Sequence, residues 1–250
     1  MTAQIASPTL SVSGLCRYFG TRAAVHDINL ELRRGEVLGF LGPNGAGKTT
    51  IMRMLTGNLA PSAGVIKICG IDLLDNPREA KAHIGYLPEI PPLYRELTVS
   101  EYLTLAARLH RVEKVKIAAA LDEVVQRCGL SSARSRLIGL LSKGYQQRVG
   151  IAQAIIHDPD VIIFDEPTAG LDPNQMRDIR ALIGELGAKH SIILSTHILP
   201  EVEAVCDRVQ ILHEGRMVFA DSVSGLKQKG ASLEEVFVQY TMNIEYPANS

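Results

Sequence analysis

Val37-Leu38-Gly39-Phe40-Leu41-Gly42-Pro43-Asn44-Gly45-Ala46-Gly47-Lys48-Thr49-Thr50 is the stretch whose reading decides the fold. Its first five residues form a nearly continuous apolar run of strand length, as in a parallel strand covered on both faces. Residues 42–49 then fill every fixed position of Gly-x-x-x-x-Gly-Lys-Thr, the P-loop pattern. Glycines let backbone N–H groups face phosphate oxygens with no Cβ in the way. A helix expected from Lys48 to about Gly57 adds the positive end of its dipole. Lys48 is expected to reach β and γ phosphates, and the Thr49 hydroxyl to hold Mg²⁺. Gly42, Pro43, Asn44, Gly45, Ala46, Gly47, Lys48, Thr49 and Thr50 are therefore the candidate phosphate-binding residues. The plain alternative is a glycine-rich turn. The motif speaks strongly for nucleotide and weakly for the reaction.

Downstream, Val161-Ile162-Ile163-Phe164 is a second apolar strand, and it ends in Asp165-Glu166. Two acids closing a buried strand are poorly explained by packing, because burying charge is costly. Asp165 is placed to support a Mg²⁺ shell, and Glu166 to orient and deprotonate an attacking water as general base. A turn cap is the alternative for either residue taken alone.

The rest of the chain alternates short apolar runs with amphipathic stretches, which favours an α/β layered fold. Ile28, Leu30 and Leu32 alternate with polar residues, as in an antiparallel strand with one wet face. A turn is expected over Pro61–Gly64 and a strand over Val65–Ile68. From Thr98 the character becomes helical. Thr98-Val99-Ser100-Glu101 opens one helix with a cap, and Val115–Cys128 reads as another, closed by Gly129. Strands return at 161–164, 192–195, 209–212 and 217–220, with helices at about 174–186 and 199–205 between them.

The totals set limits. The chain has 250 residues, 46% apolar, with a formal net charge of −1. A globular core is expected, and no global basic field points to nucleic acid or an anionic membrane. Cys16, Cys69, Cys128 and Cys206 stand singly, without metal-ligand spacing, and are expected to be reduced. The first nine residues lack a signal-peptide pattern, and no run of 18 apolar residues occurs. A cytoplasmic protein is expected, and any membrane role must go through a partner.

Leu141-Ser142-Lys143-Gly144-Tyr145-Gln146-Gln147-Arg148 specifies the kind of nucleotide machine. Ser142 is a natural N-cap for a helix over 145–156. In its position, between a helical region and the acid-ended strand, the segment resembles the signature motif of ATP-binding cassette (ABC) ATPases. The family's Leu-Ser-Gly-Gly-Gln here reads Leu-Ser-Lys-Gly-Tyr. Ser142 and Gly144 remain, and the resemblance implies that they approach γ-phosphate on a second copy of the chain. Lys143 adds a positive charge there.

Further matches follow in the family's order. Phe19 stands where an aromatic residue stacks on adenine, with Tyr18 as its alternative. Asp172, after Gly170-Leu171, matches the loop that crosses the dimer interface, and before Pro173 it also reads as an N-cap. His197 matches the histidine that contacts γ-phosphate. Glu89 falls where the family has a coupling glutamine; a carboxylate ligates Mg²⁺ at least as well, so Glu89 is expected to be a metal-linked sensor of ATP.

The resemblance covers about residues 10–220 and is nearest to exporter-type subunits of the gliding-motility and multidrug groups. It implies an α/β fold: a P-loop NTPase (RecA-like) core with an N-terminal antiparallel β region and an inserted α-helical subdomain. One ABC ATPase domain is expected over 10–222, its core at about 10–90 and 158–222, its helical subdomain at about 91–157, with 223–250 a short C-terminal tail. The implied function is ATP hydrolysis driving transport, with ATP and Mg²⁺ as ligands. The implied partners are a second ATPase subunit and integral membrane permease subunits, the chain lying peripherally on the inner membrane face. Tyr94, beside Pro91-Pro92, is expected to anchor the permease. A nucleic-acid- or ribosome-associated ABC ATPase is the main rival. It is disfavoured by the near-zero charge, the single cassette and the lack of long coiled coils. A simple P-loop kinase or switch leaves the signature and His197 unexplained.

Overall fold

Val37–Leu41 (β3) is buried at all five residues and pairs on both sides with parallel strands. The computed structural model describes residues 7–242. Before β3 come two long antiparallel strands, Leu10–Phe19 (β1) and Arg22–Leu32 (β2). After it, the loop over 42–47 leads into Lys48–Leu55 (α1). Ala63–Ile68 (β4) and Ile71–Asp72 (β5) follow, then Pro77–Ala82 (α2) and Ile84–Leu87 (β6). Val99–Leu109 (α3), Ile117–Arg127 (α4) and Lys143–Ile155 (α5) are the helical stretch. The chain closes with Val161–Asp165 (β7), Pro173–Gly187 (α6), Ser191–Thr196 (β8), Leu199–Val205 (α7), Arg208–His213 (β9), Arg216–Ser222 (β10), Val223–Gln228 (α8) and Leu233–Met242 (α9).

Two sheets result. One is antiparallel, in the order β2-β1-β4-β5. The other has the order β10-β9-β3-β8-β7-β6, parallel from β9 to β6 with β10 antiparallel at the edge. Period-2 alternation sorts the large sheet's side chains into two cores. Leu38, Phe40, Val161 and Ile163 face the antiparallel sheet and α1. Val37, Leu41, Ile162 and Phe164 face the helices from α3 onward. Each fully buried Leu, Ile or Phe contributes about 1.5–3 kcal/mol. With both faces covered, the central strands read as unbroken apolar runs.

Several sequence expectations meet local detail here. The helix expected over 115–128 begins with a 3₁₀ turn at Lys114–Lys116 before α4. The turn expected over 61–64 ends early, because β4 pairs from Ala63, opposite Cys16 of β1. Ser142 has N-cap backbone angles, yet its side chain makes no capping bond. The stretch read as a short tail after 222 is structured as far as 242. Val223, Leu226, Leu233 and Val236 are buried in the main core, and Tyr240 packs on Phe219 at 5.2 Å between ring centroids. Leu233, Val236, Phe237 and Tyr240 keep the i, i+3, i+4, i+7 spacing of an amphipathic helix, and α9 lays that face on α7 and β9. Residues 243–250 of that tail lie outside the described residues. Among the described residues, no helix is long and apolar enough to cross a membrane.

Candidate functional site

Parallel pairing in register decides where the chemistry gathers. Leu41 lies opposite Thr196, and Ser195 opposite Asp165. The C-terminal ends of β3, β8 and β7 therefore stand side by side, about 4.8 Å apart. Ligands in open α/β sheets bind at such carboxyl ends. A cavity of about 900 Å³ opens there.

Most candidates from the sequence border this cavity. Pro43, Asn44, Gly45, Gly47, Lys48, Thr49 and Thr50 form its floor. Glu166, His197, Glu89 and Phe19 also line it. Gly42, Ala46 and Asp165 do not line it; Asp165 borders a neighbouring cavity together with Thr49 and Glu89. Gly42 is where the loop passes closest to another strand: a Cβ there would come within 2.5 Å of the Leu212 carbonyl. Gly45, with φ +83, has open space on its Cβ side, so the cradle is unobstructed.

Lys48 is buried and folds over its own loop. Its Nζ donates to the carbonyls of Gly42 at 2.6 Å and Pro43 at 3.3 Å, and lies 3.6 Å from Glu166 Oε1. Burial lowers its pKa, and the nearby Glu166 and Asp165 carboxylates oppose that. Asp165 accepts from Ser195 Oγ at 2.8 Å. Burial raises its pKa, while hydrogen bonds from Ser195 and Thr49 pull the other way. A threonine hydroxyl on a buried carboxylate, with Glu89 lining the same cavity as both, is a set of hard oxygen donors that fits Mg²⁺.

Glu166 is the first residue past β7 and adopts φ +51, a strained value for a non-glycine residue. Its N–H donates to the Ser195 carbonyl at 2.9 Å, which pins the backbone. The other carboxylate oxygen, Oε2, lies 2.9 Å from His197 Nδ1. Phe19 is 50% exposed, with the Arg17 guanidinium 4.7 Å over its ring. Tyr18, 47% exposed, does not border the cavity.

Ser142, Gly144 and Asp172 do not join the cavity. They form a second group at the start of α5 and α6. Asp172 caps α6 through the N–H groups of Asn174 and Gln175, both at 3.0 Å. A Cβ on Gly144 would strike Gln175, and Lys143 lies over Gly170.

Sequence reasoning missed several contributors. His26, Ala24, Glu214 and Gly215 also border the cavity. Glu214 and Gly215 both have positive φ in the β9–β10 turn, opposite the pairing His213↔Arg216. An Xaa-Gly pair between apolar runs signals a hairpin, but nothing local says that the hairpin backs the phosphate loop. It does so through Gly215 N–H to Ala46 O, 2.9 Å. A buried carboxylate was also missed: Glu201 accepts from Thr168 and, at 2.7 Å, from Thr196.

Comparison with known proteins agrees with this geometry. The family model for ABC transporters matches residues 25–169. A bacitracin transport ATP-binding protein from Bacillus licheniformis is 38% identical over 225 residues, covering 89% of this chain and 72% of the relative. A Nod factor export ATP-binding protein from Paraburkholderia xenovorans is 35% identical, covering 88% of this chain and 73% of its own. The solved structure of an ATP-binding subunit of an ABC transporter superposes with TM-score 0.84 at 33% identity, covering 93% of this chain and 99% of that one.

Proposed function

The chain belongs to the ABC transporter family as an ATP-binding, ATP-hydrolysing subunit, and on that premise we propose how its residues divide the work. The observation that carries the proposal is one carboxylate held from two sides. Glu166 lies between Lys48 Nζ at 3.6 Å and His197 Nδ1 at 2.9 Å, at the mouth of the cavity.

Adenine stacks on the face of Phe19 away from Arg17. The triphosphate runs over the N–H groups of residues 44–50, at the N-terminus of α1. Lys48 leaves the carbonyls of Gly42 and Pro43 for the β and γ phosphates. Thr49, Asp165 and Glu89 are the residues that would hold Mg²⁺, whose chemistry is to neutralise phosphate charge. Glu166 takes the proton of the attacking water, and His197 holds that carboxylate in place while facing γ-phosphate.

Ser142 and Gly144 complete the site of a second copy, arranged head to tail. The Ser142 hydroxyl makes no capping bond to its own helix, which leaves it available to a ligand. Asp172, at the start of α6, lies beside this surface. In this reading the chain from about 10, with the packed helices α8 and α9, is one ATPase domain, the helical stretch at about 91–157 moves on closure, and hydrolysis releases it. Separate permease chains convert the motion into transport and hold the subunit at the inner face of the membrane. The names of the relatives, bacitracin transport and Nod factor export, favour export as the direction.

Glu166→Gln tests the reading. ATP binding should stay within a few-fold, turnover should fall by roughly 10²–10⁴-fold, and a dimer should accumulate with ATP on size-exclusion chromatography with light scattering. A variant that turns over normally, or stays monomeric with bound ATP, refutes it.

A further inference from the structure

At the opposite edge of the large sheet, three chemically distinct donors meet outside the nucleotide site. Cys69 stands in the β4–β5 turn, His83 immediately before β6, and Asp160 immediately before β7. One ligand atom from each lies within 4.8 Å of the other two. His83 Nδ1 is 2.8 Å from Asp160 Oδ2, and the other carboxylate oxygen pairs with the exposed Arg34.

We propose that Cys69, His83 and Asp160 form a three-ligand Zn²⁺ site that clips the antiparallel sheet to the edge of the parallel sheet. Tetrahedral Zn²⁺, bound at about 2.0–2.3 Å, needs its ligand atoms roughly 3.3–3.8 Å apart. The three ligand atoms already lie within 4.8 Å of one another, with His83 Nδ1 and Asp160 Oδ2 at 2.8 Å, so binding asks for adjustments of about an ångström at half-buried side chains. The mixed S, N, O set suits zinc rather than Mg²⁺ or Ca²⁺, which take oxygen.

Charge and protons balance. A Cys69 thiolate and an Asp160 carboxylate neutralise the dication. Binding releases the thiol proton to solvent, and the neutral imidazole places its remaining proton on Nε2, freeing Nδ1 for the metal. Asp160 keeps Arg34 on Oδ1 and exchanges His83 for metal on Oδ2. Water takes the fourth position, since the site opens to solvent at His83 and Asp160.

The backbone under each ligand is already held. Cys69 N–H donates to Thr9 O at 2.8 Å, Val161 N–H to His83 O at 3.0 Å, and Ser191 N–H to Asp160 O at 3.0 Å. The three segments are far apart in sequence, so a metal here cross-links the two sheets. It lies at the N-terminal ends of β6 and β7, the ends remote from the catalytic carboxylates. The expected effect is therefore on stability, with nucleotide chemistry untouched.

The test uses the full chain, stripped with chelator and free of nucleotide. Co²⁺ titration should give a thiolate charge-transfer band that saturates at one equivalent and is displaced by Zn²⁺. That band reports sulfur, so it is blind to metal in the phosphate loop. It should vanish in Cys69→Ser and persist in Cys16→Ser. Zn²⁺ should raise the melting temperature of the wild type by roughly 5 °C, and this shift should vanish in His83→Ala. On the wild type alone, Zn²⁺ should protect Cys69, but not Cys16, from alkylation as located by peptide mass. No band and no protection in the wild type, or a band that survives Cys69→Ser, overturns the proposal.

Discussion

His197 Nδ1 lies 2.9 Å from Glu166 Oε2, while Glu166 Oε1 lies 3.6 Å from Lys48 Nζ. One carboxylate at the end of β7 thus joins the end of β8 to the start of α1. Backbone strain at Glu166, with φ +51, is retained because Ser195 O and these side chains hold it. A catalytic group held in advance has less reorganisation to undergo in the transition state.

His197→Ala should therefore lower ATP turnover by about 10²-fold or more while changing ATP affinity only a few-fold. Steady-state kinetics beside equilibrium nucleotide binding separates the two. Equal losses in both would mean that His197 serves binding alone.

Gly215→Ala should act on the phosphate loop from behind. The residue has φ +76, and a Cβ would come within 2.5 Å of the Ala24 carbonyl. Left-handed backbone and that clash together should cost about 2–3 kcal/mol. The bond from Gly215 N–H to Ala46 O would yield first, weakening ATP binding roughly tenfold or more. Urea unfolding and nucleotide titration measure the two effects.

Glu201→Ala removes a carboxylate that is only 1% exposed and accepts from Thr168 and Thr196. Two buried hydroxyls lose their acceptor, and Arg180, 3.8 Å away, loses its anion. The expected destabilisation is about 2–4 kcal/mol by urea unfolding. Thr168 follows the catalytic carboxylates and Thr196 precedes His197, so turnover should fall more than ATP affinity. Glu201→Gln, which keeps an acceptor, should restore part of both.

The stacked pair His110–His157, 3.8 Å between centroids, predicts a pH effect. Burial, then His110, pushes His157 down to about 4. Unfolded histidine titrates near 6.5, so between pH 6.5 and 4 the unfolded chain binds more protons. Stability from this group is complete above 6.5 and lost as pH falls through 4, about 3 kcal/mol in all. His157→Gln should lose less stability than the wild type between pH 7 and pH 4.5 in parallel urea titrations.

How much of this was legible in the sequence depends on whether the information was local. The β3 run and the loop over 42–49 could be read directly, because a continuously apolar strand and a glycine-lysine turn have strong short-range signatures. Thr98 and Asp172 were readable as caps for the same reason. The helices after 222 were legible only in part: Leu233, Val236, Phe237 and Tyr240 keep helical spacing, but nothing local says that α7 and β9 leave a surface for them to cover. Nor did the spacing of Cys69, His83 and Asp160 suggest a cluster, since 14 and 77 residues separate them.

By itself the sequence determined the layered α/β class, the phosphate loop with Lys48 and Thr49, and the acid-ended strand at Asp165-Glu166. These follow from backbone freedom at glycine, from hydrophobic period and from the cost of burying charge. Tertiary structure alone decided that Glu166 faces both Lys48 and His197, that Gly215 backs the phosphate loop, and that Ser142 and Gly144 stand apart from the cavity they are proposed to complete in a second copy. Those depend on strand register between segments distant in sequence, and on which side chains the packed cores leave room to turn.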